Sequence, residues 1–208
     1  MNKNVSFALP LFFALALAAC NQAPVHPPLS SAPLAGAAIG GNFDLVDQNG
    51  RKRSYSEFNG KYRIVYFGYT NCPDICAPDM QNLMLGLKNF EKAHPDLAGK
   101  VQPIFITVDP KRDTPAVLKQ FVTAFHPRAI GLTGSEMEIA DAAKKFAVYY
   151  SRVEGTTSGS YLMSHSQTPF LMGPDGKPLA IMPADQPQTD ANEGAPSLVE
   201  AELEKWVR

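Results

Sequence analysis

The sequence predicts one α/β domain whose mostly parallel sheet is covered by helices on both faces. Segments with strand character alternate with segments of helical periodicity, and a hairpin followed by a helix closes the chain. A further hairpin is predicted where the domain begins, and the domain is expected to span residues 42–208. The chain has 208 residues, 45% of them hydrophobic and 19% charged, which suits one ordinary domain with additions.

The N-terminal segment has the pattern of a bacterial lipoprotein signal peptide. Lys3 supplies a positive charge, an apolar stretch follows, and Leu17-Ala18-Ala19-Cys20 is typical of a cleavage site that leads directly into a cysteine. We expect residues 1–19 to be removed and Cys20 to carry the lipid that anchors the protein in the cell envelope, facing the periplasm. Asn21 favours the outer membrane over the inner one. The alternative is an uncleaved anchor with Cys20 as a free thiol.

Residues 20–41 are expected to form a flexible linker. They are rich in proline, alanine and glycine, a composition that cannot build a core. The domain is then predicted to begin with a β-hairpin, because residues 43–46 and 51–55 flank Gln48-Asn49-Gly50.

Two cysteines with C-x-x-x-C spacing lie where a buried strand leads into a helix. Ile64-Val65-Tyr66-Phe67 has strand composition, and apolar residues recur with helical spacing from Cys76 to about Ala93. Cys72 precedes the helix, so both thiols are expected to have lowered pKa values. Such thiolates can close a disulfide or bind a soft metal. A purely stabilising disulfide is the alternative, although so small a ring would restrict the unfolded chain little.

The remaining elements follow from periodicity, turn residues and helix caps. In chain order we predict a strand at 101–108, a helix at 114–125 with Pro115 first, a strand at 130–132, a helix to 146 capped by Ser135 and Glu138, a strand-like segment at 148–150, a hairpin of 169–172 and 179–182 around Gly173-Pro174-Asp175-Gly176, a polar loop at 183–195, and a last helix capped by Ser197 and Glu200.

The stretch from Phe67 to Cys76 resembles the signature of the Sco/SenC/PrrC family, which are thioredoxin-fold copper-binding proteins. It matches the family pattern F-G-Y-T-x-C-P-D-[VI]-C-P up to Ala77, where proline is usual. The resemblance continues through residues 109–115, 131–134 and His165-Ser166 in the family's order, covering roughly residues 40–182. It implies a thioredoxin-like fold with an N-terminal β-hairpin extension.

The third metal ligand implied by the resemblance is His165, which precedes a predicted strand. By spacing alone this histidine would more often be structural, and the other three histidines are simplest as surface or helix-end residues. With Cys72 and Cys76 it would provide two thiolates and one imidazole, which suit Cu(I) and can hold Cu(II). Ser164 stands where the family often has aspartate, a difference expected to alter affinity or redox behaviour.

Three further residues are predicted to modulate the site. Asp74 lies between the cysteines, and Asp109 begins a charged loop with Arg112 and Asp113 at the end of a predicted strand. The alternative interpretation of that loop is a solvated turn with a helix cap, and for Arg112 this alternative is the favoured one. Thr168-Pro169 resembles the cis-proline element of redox-active thioredoxins, which favours thiol exchange.

The resemblance implies a copper metallochaperone that delivers copper to the binuclear centre of cytochrome c oxidase. Its partners would be the copper-receiving oxidase subunit or another envelope cuproprotein, other envelope copper carriers or thiol–disulfide proteins, and the lipid membrane through Cys20. The alternative is a thiol–disulfide reductase in which Cys72 and Cys76 are the catalytic pair. A peroxidase is disfavoured because its signature P-x-x-x-T-x-x-C would need proline and threonine where Val65 and Tyr69 stand. The net charge of -1 gives no reason to expect nucleic-acid binding.

Overall fold

The computed structural model describes residues 26–157, 159–185, 189 and 192–208. The predicted signal peptide and Cys20 lie outside the described residues. No helix within the described ranges is both long enough and apolar enough to cross a membrane.

Three short 3-10 helices lie at Leu29–Ser31, Tyr55–Phe58 and Ala98–Lys100, and four α-helices and nine strands make up the rest of the regular structure of the described residues. In chain order they are β1 (Asp44–Asp47), β2 (Lys52–Ser54), β3 (Tyr62–Gly68), α1 (Cys76–Ala93), β4 (Val101–Thr107), α2 (Pro115–Phe125), β5 (Ile130–Thr133), α3 (Glu136–Lys145), β6 (Tyr150–Glu154), β7 (Tyr161–His165), β8 (Phe170–Met172), β9 (Pro178–Ile181) and α4 (Pro196–Trp206). The elements predicted up to α3 are confirmed to within about two residues at each end.

Seven strands form the main sheet in the order β2-β1-β5-β4-β3-β8-β9. Only β3, β4 and β5 are parallel neighbours, and the other pairs are antiparallel. The expectation of a mostly parallel sheet is therefore wrong, because the chain enters and leaves the sheet through hairpins, and a hairpin joins antiparallel strands. The thioredoxin-like α/β fold with an N-terminal hairpin extension is confirmed, and the extension joins the sheet through β1 and β5.

Both faces of the main sheet are covered, as predicted. Side chains alternate along a strand, so Tyr66 and Phe67 point to opposite faces. Phe105 lies on the Tyr66 side and packs on Phe121 of α2, with ring centroids 5.0 Å apart. Phe67 packs on Phe146 at the end of α3, with ring centroids 5.5 Å apart. The strand that leads to the cysteines is thus buried in an aromatic core on both sides.

Part of the expected linker packs on the domain. Ala32 is buried, and the backbone N–H of Leu34 donates to the carbonyl of Leu179 at 2.9 Å. The N–H of Gly40 donates to the carbonyl of Lys145 at 2.7 Å. The expectation that residues 20–41 contribute nothing to the core is therefore wrong for this part. Its few apolar side chains pack on the domain, and composition alone does not predict such contacts.

The two predicted capping boxes have different outcomes. In α3 the box is confirmed, because the N–H of Ser135 donates to Glu138 Oε2 at 2.7 Å and the N–H of Glu138 donates to Ser135 Oγ at 3.3 Å. In α4 it is wrong, since the helix begins at Pro196, without a side-chain cap. Proline is favoured at the first helical position, so the helix starts before Ser197 can cap it.

Strands β6 and β7 form a separate two-stranded sheet, which we call the arm (residues 150–165). The sequence predicts a strand only at 148–150 and β7 was not predicted, because the one apolar run within residues 151–164, Tyr161-Leu162-Met163, is shorter than the four to eight residues typical of a strand. His165, expected to precede a strand, is the last residue of β7. The arm therefore sets the position of the third predicted ligand.

Candidate metal centre

The three predicted ligands come together at one end of the main sheet. Cys76 is the first residue of α1, Cys72 lies in the loop before it, and His165 ends the arm. Their Sγ and ring-nitrogen atoms all lie within 4.8 Å of one another, the one such cluster of potential metal ligands in the described part of the chain. The Sγ atom of Cys76 lies 3.3 Å from Nε2 of His165.

The sulfur of Cys76 occupies space that exists because residue 68 is glycine. A Cβ atom on Gly68 would lie 3.0 Å from Cys76 Sγ and 3.0 Å from the Phe105 ring. Cys76 is buried and Cys72 is partly exposed, and both are free thiols. The end of β3 therefore places one sulfur inside the core and leaves the other near the surface.

The two thiols differ in acidity. The pKa of Cys72 is lowered because its sulfur accepts a hydrogen bond from the Cys76 thiol and from the backbone N–H groups of Cys76 and Asp74. The pKa of Cys76 is raised because its thiol donates to Cys72 and is buried. The expectation that both pKa values are lowered is thus wrong for Cys76. Only one of the two neighbouring sulfurs is readily ionised, and the negative charge is more stable on Cys72, which is the more exposed of the two.

The ring of His165 is oriented by the backbone next to it. Its Nδ1 lies 2.9 Å from the carbonyl oxygen of Ser166. A carbonyl can only accept a hydrogen bond, so Nδ1 carries the proton, and in the neutral ring Nε2 presents a lone pair towards the sulfurs. Tyr69 packs against the same ring at 5.9 Å between centroids, with the planes 87° apart.

A buried acid behind the cysteines is absent from the sequence-based predictions. Asp79 accepts a hydrogen bond from the Tyr66 hydroxyl at 2.7 Å, and both side chains are buried. Burial raises the pKa of Asp79, and the phenol of Tyr66 provides only a partial offset. Asp79 follows Cys76 by three residues and so lies on the same helix face, a spacing that could have identified it.

The two aspartates of the loop after β4 do not lie in a solvated turn, whereas Arg112 is partly exposed. Asp109 and Asp113 are both buried. Asp113 accepts hydrogen bonds from the Thr70 hydroxyl at 2.6 Å, from the Thr70 N–H at 3.0 Å and from the Thr107 hydroxyl at 2.6 Å. This carboxylate therefore ties the loop that carries the cysteines to the end of β4.

The other two predicted modulators lie near the site in different ways. Asp74 is exposed and lines an open cavity of about 280 Å³ that gives access to Cys72 and His165. The Thr168–Pro169 peptide bond is trans, and the described residues include no cis peptide bond. The likeness to a cis-proline element is therefore wrong in its conformation.

Two sulfur atoms and one imidazole nitrogen define what the cluster can bind. Soft thiolates and imidazole suit copper, particularly Cu(I), while a structural zinc ion would need a fourth protein ligand. The same sulfurs could instead form a disulfide. The donor set therefore fits either copper binding or thiol exchange.

Comparisons with known proteins place these features in a wider group. A family model described as SCO1/SenC matches residues 31–200. The mitochondrial protein SCO2 homolog of Mus musculus is 43% identical over 141 residues, which are 67% of this chain and 54% of that protein. The chain thus spans about half the length of that curated relative.

Solved structures give the same grouping. Bradyrhizobium japonicum ScoI with copper bound is similar at a TM-score of 0.70 and 35% identity, covering 82% of this chain and 100% of that one. BsSco, a member of the Sco family of cytochrome c oxidase assembly proteins in which a disulfide switch was identified, has a TM-score of 0.53 and 30% identity, covering 70% and 84%.

Proposed function

Since the chain belongs to the SCO1/SenC family, we propose that it binds copper through Cys72, Cys76 and His165 and delivers it for cytochrome c oxidase assembly. The observation that carries this proposal is the approach of two sulfurs and one imidazole nitrogen to within 4.8 Å. The copper-bound relative and the assembly role of the BsSco family support it.

The geometry suits a carrier more than a permanent metal site. Three ligands leave copper open to a further donor, and the cavity at Cys72 and Asp74 lets a partner's ligand approach. The ionised Cys72 is ready to bind, whereas Cys76 must release its proton. Copper affinity should therefore fall on acidification, because protons compete for both sulfurs and for the imidazole.

A thiol–disulfide reductase is the second candidate, favoured by the unequal thiols. Cys72 as thiolate would attack a partner's disulfide, forming a mixed disulfide and releasing one partner sulfur. Cys76 would then attack Cys72, so that the partner leaves with both sulfurs reduced and Cys72–Cys76 becomes a disulfide. A cellular dithiol would restore the reduced pair. The disulfide switch identified in BsSco supports chemistry of this kind.

The proposed location and organisation rest on the N-terminal sequence. Removal of residues 1–19 would leave a lipid-anchored Cys20 and a linker that holds the copper-binding domain at the membrane, facing the periplasm. Its partners would be a copper-receiving oxidase subunit or another envelope cuproprotein. Cys20→Ser should abolish lipid labelling, and a mature wild-type protein that begins elsewhere would contradict the anchor.

Copper titration of the reduced protein tests the site itself. We expect about one copper per chain, loss of tight binding in Cys72→Ser or Cys76→Ser, and weaker binding with an altered Cu(II) spectrum in His165→Ala. Removing a direct ligand should cost more than the roughly 10- to 100-fold typical of outer-shell changes. His94→Ala is the matched control, because His94 lies at the opposite end of α1 from Cys76 and pairs with Glu204 of α4. Unchanged binding in His165→Ala would refute the three-ligand site.

The two candidate functions separate in cells. Under scarce copper, a carrier requires His165, whereas thiol exchange needs only the cysteines. If His165→Ala supports normal oxidase assembly while Cys72→Ser does not, the reductase function replaces the carrier. In vitro, bound copper should protect both cysteines from alkylation, and oxidation of the pair should abolish copper binding.

A further inference from the structure

The arm carries His165 but shares no backbone ladder with the main sheet. Strand β7 pairs only with β6, through residues 161–165 and 150–154. The outer edge of β7 instead faces the loop after β4. Side chains of that loop contact the start of β7.

Three residues, which we call the clasp, join this loop to the start of β7: Asp109, Arg112 and Tyr161. Arg112 forms a short ion pair with the buried Asp109. Its Nη1 donates to the backbone carbonyl of Tyr161 at 3.0 Å, and its guanidinium lies 3.8 Å from the centroid of the Tyr161 ring. The Tyr161 hydroxyl donates to Asp109 Oδ1 at 2.9 Å. Each member of the clasp thus contacts the other two.

A second contact continues from the clasp to the ligand. The guanidinium of Arg112 also lies 5.6 Å from the centroid of the Tyr69 ring, which packs against His165. Tyr161, Met163 and His165 lie on one side of β7, and four residues of strand span about 13 Å. The clasp therefore holds the start of the strand, and Arg112 also contacts the tyrosine ring that packs against the imidazole at its end.

The chemistry of the clasp suits a defined position more than general stability. Asp109 is 3% exposed, and a buried carboxylate without its partner is costly. A planar guanidinium can pair with the carboxylate, stack on the phenol and donate to a carbonyl at once, which an ammonium group cannot do. The arm can therefore dock in one arrangement on this loop.

We propose that Arg112 and Tyr161 are positioning residues that hold the arm, and with it His165, against the two cysteines. The inference rests on the copper site proposed above for its functional consequence, but the docking of the arm can be measured without metal. Loss of the clasp would leave both sulfurs in place and release the imidazole.

The first test is amide hydrogen exchange of the reduced, metal-free protein. We expect exchange of residues 161–165 to rise about tenfold or more in Tyr161→Phe and in Arg112→Lys, because the arm opens locally while α1 keeps its protection. Lys111→Gln is the matched control, since Lys111 lies in the same loop and pairs with Glu136. Unchanged protection of the arm in both clasp variants would overturn the proposal.

The second test is a double-mutant cycle for copper affinity. Arg112→Lys should weaken copper binding about 10- to 100-fold and reduce nitrogen coupling in the Cu(II) spectrum, as outer-shell changes do. In a His165→Ala background the same substitution should have no further effect. An equal loss in both backgrounds would overturn the positioning role. Absence of copper binding by the wild type, with arm exchange still raised by the variants, would refute the copper function and leave the clasp supported.

Discussion

The cysteines and the histidine lie on parts of the molecule that are held in place differently. Strand β3, which leads to the cysteines, is hydrogen-bonded to β4 on one side and β8 on the other, and all seven of its residues are buried. The arm that carries His165 pairs only within itself, and Val153 and Leu162 are exposed on it.

The sulfurs and the imidazole are therefore held in position by different sets of contacts. Displacing the Cys76 sulfur would require opening the core, whereas the arm can open locally when a few side-chain contacts break. The proposed copper carrier would benefit from having one ligand on the less stable part, because it must release its metal. The comparison can be tested by substitutions in the part that holds the cysteines and in the arm.

The largest expected contrast comes from one substitution made on each side. Leu87→Ala removes a fully buried side chain of α1 and should lower the free energy of unfolding by about 2–5 kcal/mol. Leu162→Ala, on the exposed face of the arm, should change it by less than about 0.5 kcal/mol. Urea unfolding of the reduced, metal-free protein measures both. Equal losses would show that the arm is as integral to the core as α1.

A smaller effect is expected where the core meets the sulfur. Gly68→Ala places a Cβ 3.0 Å from both Cys76 Sγ and the Phe105 ring, so the free energy of unfolding should fall by about 1–3 kcal/mol. Copper affinity should fall as well, because the sulfur must move. Gly99→Ala is the control, since a Cβ there meets nothing within 4 Å. Full copper affinity in a destabilised Gly68→Ala would show that the sulfur can shift without leaving the site.

The smallest expected effect concerns the buried acid behind the cysteines. The pKa of Asp79 is raised above its ordinary 3.8, so its contribution to stability is full below that pH and is lost as pH rises through the folded-state pKa. Asp79→Asn should therefore be more stable than the wild type at pH 7.5, by about 1.4 kcal/mol for each pH unit that separates the folded-state pKa from the ordinary one.

Thermal unfolding of the metal-free protein across pH measures this change. The difference between Asp79→Asn and the wild type should shrink towards zero as pH falls below 3.8. Asp79 also experiences the charges of Asp185, His165 and Cys72, so the comparison uses reduced protein throughout. A wild type that is more stable than Asp79→Asn at neutral pH would show that the carboxylate is stabilised in its ionised form.

Local patterns in the sequence determined most of the scaffold. The strand composition around Tyr66, the helical spacing after Cys76 and the cap at Ser135 depend on residues close in sequence, and each predicted its element. The resemblance between residues 67 and 76 predicted the two cysteines of the candidate metal centre, and its continuation at His165 predicted the third residue. The predictions of the elements succeeded because propensity, capping and periodicity act over one or two turns of chain.

Tertiary structure alone decided the arm, the proximity of His165 to Cys76 across 89 residues, and which thiol keeps its proton. The arm has only one short apolar run, Tyr161-Leu162-Met163, and its start docks through contacts with Arg112 that no local pattern reveals. The loop after β4 also has a tertiary role that its sequence does not show, because its two aspartates, Asp109 and Asp113, are buried and hydrogen-bonded. Such outcomes depend on which distant groups share a low-dielectric space, and only the folded chain brings those groups together.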